Sequence, residues 1–128
     1  MLSDFLRFSG VTFASVDTSA DKRVLARTWN LTIPSKFHVD IQDVYEIPGH
    51  VKAGMSTLAA LLIDPWYKDM KKMFSWQAHS RWEKPQLDRI NLKYAAIDGF
   101  VAYKIFCMIL LKKGDGSSRA SKRLKRAH

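Results

Sequence analysis

Two short, β-branched apolar runs, residues 11–16 and 37–41, are the strand candidates of this chain, and both are outnumbered by helix. Between them Asp17, Thr18 and Ser19 offer N-cap chemistry for a helix running to about Trp29. Upstream, Leu2, Phe5, Leu6 and Phe8 fall at helical spacing until Ser9-Gly10 breaks the pattern. Downstream, the Pro48-Gly49 turn signal precedes a helix at about 54–63, carrying Met55, Leu58, Ala59, Leu61 and Leu62, which Pro65 closes. A Lys- and Trp-rich connection follows. Residues 87–111 then read as one long helix or two abutting ones, apolar on most faces. The alternation predicts an α/β fold. Two strands are few for this much helix, because an isolated strand pair is marginal in water. The expectation is therefore part of a domain over residues 1–112, beginning within a helix that has no cap and no strand before it.

Charge separates the rest of the chain from that body. The net charge is +9, and residues 112–128 hold seven basic residues against Asp115 alone, so most of the excess lies there. Residues 114–118, Gly-Asp-Gly-Ser-Ser, have linker composition, and a disordered basic tail over 113–128 is expected. Its Lys-Arg-Leu-Lys-Arg run suits a nuclear import address, a phosphate-binding arm or a solubilising end. The single cysteine, Cys107, cannot form an internal disulfide. Met1 to Phe8 carries Asp4 where a signal peptide needs basic charge. Residues 105–111, the longest uninterrupted apolar run, fall short of the roughly 18–20 residues that span a bilayer. The expectation is an intracellular protein, nuclear or cytoplasmic, with the basic tail favouring the nucleus. A membrane-surface module is disfavoured because apolar residues surround the last helix instead of forming one stripe.

The chemistry concentrates in Tyr94-Ala95-Ala96-Ile97-Asp98. Tyrosine and aspartate four apart on a helix project from one face, so a hydroxyl and a carboxylate converge. The two alanines between them leave room for a substrate or a backbone. Around this pair, Trp82-Glu83, Pro85, Leu87, Gly99-Phe100 and Tyr103-Lys104-Ile105-Phe106 complete a pattern. It resembles the end of a 3′–5′ exonuclease domain of the Werner-syndrome type, one of the ribonuclease-H-like DEDDy exonucleases, whose last motif is Tyr-x-x-x-Asp. Residues 13–25 resemble that family's second motif, a strand running into a helix with a catalytic aspartate near the helix start. Val39-Asp40-Ile41 is similar to its next strand, and residues 54–62 to its Leu-Ala-x-Leu helix. The likeness is greatest to small plant members and covers about residues 2–112.

The resemblance implies a ribonuclease-H-like exonuclease fold lacking its first strands, with C-terminal helices and a basic tail. It further implies that Asp21 and Asp98 are metal ligands and that Tyr94 orients the attacking water, making Asp21, Tyr94 and Asp98 the catalytic set. Phosphodiester hydrolysis of this kind uses two metals roughly 3.5–4 Å apart held by carboxylates, and hard oxygen ligands select Mg²⁺ or Mn²⁺. The implied substrate is a single-stranded or 3′-recessed nucleic acid, its phosphates drawn by Lys68, Lys71, Lys72, Arg119, Lys122, Arg123, Lys125 and Arg126, and its bases stacked on aromatics such as Trp76 or Trp82. Packing under the last helix is the better-supported role for Trp82.

The family's first motif, Asp-x-Glu, occurs nowhere in the sequence, whose glutamates are Glu46 and Glu83. Its loss removes half the protein charge of a two-metal centre and puts cleavage by this chain alone in doubt. Ser15 and Asp17 stand where the family commonly has glycine, and Asn91 where it has glutamine. The alternative is an exonuclease-like protein without catalysis that binds nucleic acid or a protein partner, or that self-associates through an exposed sheet edge. His38, His50, His79 and His128 have no metal-ligand spacing, and neither a Gly-x-Ser-x-Gly elbow nor a Gly-rich phosphate loop is present.

Overall fold

A computed structural model describes residues 2–74 and 80–126, with the side chains of Ser35, Met73 and residues 115–126 outside the description. The order is α1 (Leu2–Leu6), β1 (Phe13–Ser15), α2 (Ser19–Trp29), a 3-10 turn (Ser35–Phe37), β2 (His38–Asp40), α3 (Ile41–Val44), α4 (Met55–Leu62), a 3-10 segment (Pro65–Met73) and α5 (Arg89–Arg126).

The two strands pair in parallel, Phe13 opposite His38, Ala14 opposite Val39 and Ser15 opposite Asp40. Parallel neighbours need a crossover, and α2 supplies it. Asn30 ends α2 in the left-handed conformation, φ 50°, which asparagine tolerates at a helix C-terminus. At Pro48-Gly49 the backbone turns with Gly49 at φ 83°, and the His50 amide donates to the Ile47 carbonyl at 2.9 Å, the geometry of a type II turn. Gln42 closes the same loop by donating its side-chain amide to the carbonyls of Lys52 and Ala53.

The core is one cluster: Ile41, Leu58, Ala59, Leu62, Met70, Val101, Ile105 and Ile109, with Ala14 and Val16 of the β1 region against it. In α5 the spacing of Val101, Ile105 and Ile109 puts three fully buried side chains on one face, which packs on α4 and β1. Each such burial contributes about 1.5–3 kcal/mol. α4 also packs closely on the 3-10 segment.

Three differences from the sequence reading have physical causes. The Lys- and Trp-rich connection is helical, because Asp64 caps Pro65–Met73 by accepting from the Trp66 amide at 2.8 Å. The apolar residues around α5 are not all buried: Phe100, Tyr103, Leu110 and Leu111 are more than half exposed, since α4 and β1 cover a single face. The helical backbone runs through residues 114–118 to Arg126, where composition predicts a linker and a solvated tail. Extending a formed helix adds a hydrogen bond per residue without a new nucleation cost.

The segment from Arg89 to Gly114 is also long and apolar enough to cross a membrane, a criterion that interrupted apolar runs meet as well as continuous ones and that core helices of soluble proteins share. Neither α1 nor α2 buries a residue, and Val24 and Trp29 stand exposed on α2. Among the described residues the sheet has two strands, each with one unpaired edge.

Candidate functional site

Tyr94 and Asp98 lie one turn apart on α5, as the spacing requires, within the helix that the buried Val101, Ile105 and Ile109 anchor to the core. The Tyr94 ring is fixed by aromatic packing. Phe74, which is buried, stacks on it with ring centres 4.1 Å apart and planes 25° apart, and Trp82 meets it edge-on at 6.2 Å. Phe74 and Trp82 are themselves 5.9 Å apart. Trp82 therefore serves as packing for the tyrosine. Trp76 and His79 lie outside the described residues.

Burial pushes the Asp98 carboxyl above its ordinary value, and the Lys71 ammonium partly offsets this. Burial, and then the Asp98 charge, push the Tyr94 phenol upward. The hydroxyl thus stays protonated and able to donate across the neutral range, while the carboxylate keeps a proton more readily than an exposed aspartate. Lys71 is the one of the three candidate lysines that the electrostatics connect to Asp98. Lys72 instead pairs with Asp69 at 3.0 Å, and Lys68 is exposed. Beside Tyr94 a cleft of about 340 Å³ opens between the 3-10 segment and α5, lined by Trp66, Tyr67, Met70, Phe74, Phe100 and Lys93 among others. Trp66 and Phe100 are its exposed aromatics.

Asp21 is exposed in the first turn of α2. Among the described residues no three His, Cys, Asp or Glu side chains come together as a metal site. Neither Asp21 nor Asp98 belongs to such a group. Of the tail candidates, Arg119, Lys122, Arg123, Lys125 and Arg126 lie on the α5 backbone with side chains outside the description.

The residue the sequence reading missed is Asp40. Its carboxylate accepts from the amides of Asp17 at 3.1 Å, Thr18 at 2.9 Å and Gln42 at 3.0 Å, and from the Thr18 hydroxyl at 3.1 Å. Burial raises its pKa, but the four donors together outweigh that and hold it below the ordinary value. The available signal was an aspartate at a strand end, directly before an apolar residue, the position of an N-cap. Nearby, burial and then the Lys22 charge lower the pKa of His38, against the opposing pull of Asp40.

No family model, no curated protein and no solved structure matches this chain. The likeness to Werner-type exonucleases rests on the sequence motifs.

Proposed function

We propose that this chain is a 3′–5′ exonuclease-like nucleic-acid-processing protein that engages 3′ ends through Tyr94 and Asp98. The observation that carries the reading is the fixed Tyr94–Asp98 face: a protonated phenol clamped by Phe74 and Trp82 and, one turn on, a half-buried carboxylate with Lys71 acting on it. A phenol there is suited to orient a water or a phosphate oxygen, and Lys71 is suited to draw the phosphate in. The strand, helix and parallel strand that carry Asp21 support the reading as well. Mg²⁺ or Mn²⁺ is the cofactor it implies, with Asp21 and Asp98 as the oxygen donors this sequence contributes. Cleavage further requires the carboxylates of an Asp-x-Glu motif, which these 128 residues do not contain.

A second reading has one observation in its favour. Because no metal-ligand group forms among the described residues, an exonuclease-like chain that binds nucleic acid or a protein without cutting is the competing proposal. The test is the fate of a 3′-labelled single strand and a recessed duplex with Mg²⁺ or Mn²⁺, using Asp98→Ala as control. Shortening from the 3′ end that needs Asp98 supports catalysis, and retention without shortening supports the binding reading. Neither a membrane nor a disulfide has a part in either. A basic, nucleic-acid-engaging chain of this kind belongs in the nucleus or cytoplasm, and the Lys-Arg run favours the nucleus.

A further inference from the structure

Asp17 takes φ 58°, in the left-handed region, and Thr18 follows at φ −87° and ψ −10°. A left-handed residue followed by a right-handed one turns two successive amide N–H groups inward into an anion-binding concavity. In this chain the anion is internal. The Asp40 carboxylate fills the concavity, taking the Asp17 amide on Oδ1 and the Thr18 amide on Oδ2. The same carboxylate receives the Thr18 hydroxyl on Oδ2 and the Gln42 amide on Oδ1, so it caps α3 and holds the two residues that lead into α2.

Thr18 is the N-cap residue of α2, yet its side chain makes no capping bond to that helix. Its hydroxyl is turned to Asp40 instead, and Thr18 is buried. The start of α2 is thus held by a residue 22 positions away on the neighbouring strand. One helical turn after Thr18 the Lys22 amide donates to the Thr18 carbonyl at 2.9 Å, which ties the first turn, with Asp21 in it, to the same anchor.

We infer that Asp40 is a positioning residue: through the Asp17-Thr18 turn it sets where the α2 first turn presents the Asp21 carboxylate. The assignment of a use to Asp21 rests on the exonuclease-like reading, while the clasp itself rests on the four hydrogen bonds. A carboxylate bonded by charge-assisted contacts has no equivalent in asparagine, which retains one acceptor oxygen and turns a donor NH₂ toward donors. Lys22, His38 and Asp43 also face this region and accompany the clasp in any charge change.

The test is amide hydrogen exchange by NMR on the full chain, together with the ¹³C carboxyl resonance of Asp21, for wild type, Asp40→Asn and Asp40→Ala. Exchange at Asp17 and Thr18 is expected to quicken about tenfold or more in Asp40→Ala and less in Asp40→Asn. The Asp21 carboxyl resonance moves in the same order, and the amides of Val101, Ile105 and Ile109 keep their protection. Unchanged exchange at Asp17 and Thr18 overturns the clasp, and a loosened turn with an unmoved Asp21 resonance overturns the positioning role. Should Asp40→Ala unfold, Thr18→Val removes only the hydroxyl bond: a shift of the Asp21 resonance supports the inference and no shift overturns it. Failure of the exonuclease-like reading shows separately, as wild-type protein indifferent to 3′ ends and metal.

Discussion

Thr18 gives both its amide and its hydroxyl to one oxygen of Asp40, at 2.9 and 3.1 Å, joining the start of the crossover helix to the end of the neighbouring strand. Two donors from one residue on a partly buried carboxylate tie the two halves of the β-α-β unit together. Hydrogen bonds to charged groups contribute more than neutral ones.

A pH dependence follows from that contact. The folded-state pKa of Asp40 lies below its ordinary value of 3.8, so its contribution is fully present above that value and is lost as pH falls through the folded pKa. Thermal melts from pH 7 down to about 2.5 are expected to show wild type losing more stability below pH 4 than Asp40→Asn does. Parallel curves for the two proteins would contradict this.

Asp98 has the opposite sign. Burial raises its pKa, with Lys71 opposing, so the protonated form is favoured by folding: its contribution is present below 3.8 and lost as pH rises through the folded value. At pH 7 the ionised carboxylate is a burden on the fold. Asp98→Asn is expected to raise the melting temperature by a few degrees at pH 7 and to abolish any metal-dependent engagement of 3′ ends. A lower melting temperature would contradict the electrostatic account.

Neighbouring leucines of α4 should behave differently. Leu58 is fully buried in the core cluster, whereas Leu61 is more than half exposed. In urea unfolding, Leu58→Ala is expected to lose about 2–5 kcal/mol and Leu61→Ala about 0.5 kcal/mol or less. Equal losses would mean that α4 presents another face to the core.

Both strands have an unpaired outer edge among the described residues, α1, α2 and α5 expose Phe5, Val24, Phe100 and Tyr103, and Phe8 stands exposed after α1. Unpaired edges and apolar surface promote association. The sedimentation-average mass is expected to rise with protein concentration. A monomer at every concentration, melting cooperatively, would count against that.

Local pattern made the regular elements legible. The 11-residue α2 lies where the Asp17-Thr18-Ser19 signal and Trp29 bound it, and β1, β2 and α4 fall inside the predicted runs. Tyr94 and Asp98 were legible because four residues on a helix is a fixed geometry. Asp40 was not, because its partners Asp17 and Thr18 are brought to it only by parallel pairing of Ser15 with Asp40. The role of Thr18 was misread for the same reason: its hydroxyl has a local option, the α2 cap, and tertiary structure provides a charged acceptor that wins. The segment after Pro65 read only as a Lys- and Trp-rich connection, because lysines interrupt its apolar residues. Yet Tyr67, Met70 and Phe74 recur at intervals that place them along the cleft facing α5.

The central claim is that Tyr94 and Asp98 engage a nucleic-acid 3′ end with a divalent cation. The direct measurement is binding and digestion of a 3′-labelled single strand by the purified chain, with Mg²⁺ or Mn²⁺ against chelator, and with Asp98→Ala beside wild type. The account predicts binding of the 3′ end that Asp98→Ala eliminates; metal-dependent shortening then marks the cleaving reading, and binding without shortening the binding reading. Binding of equal strength in Asp98→Ala and wild type, or no binding at all, would contradict it.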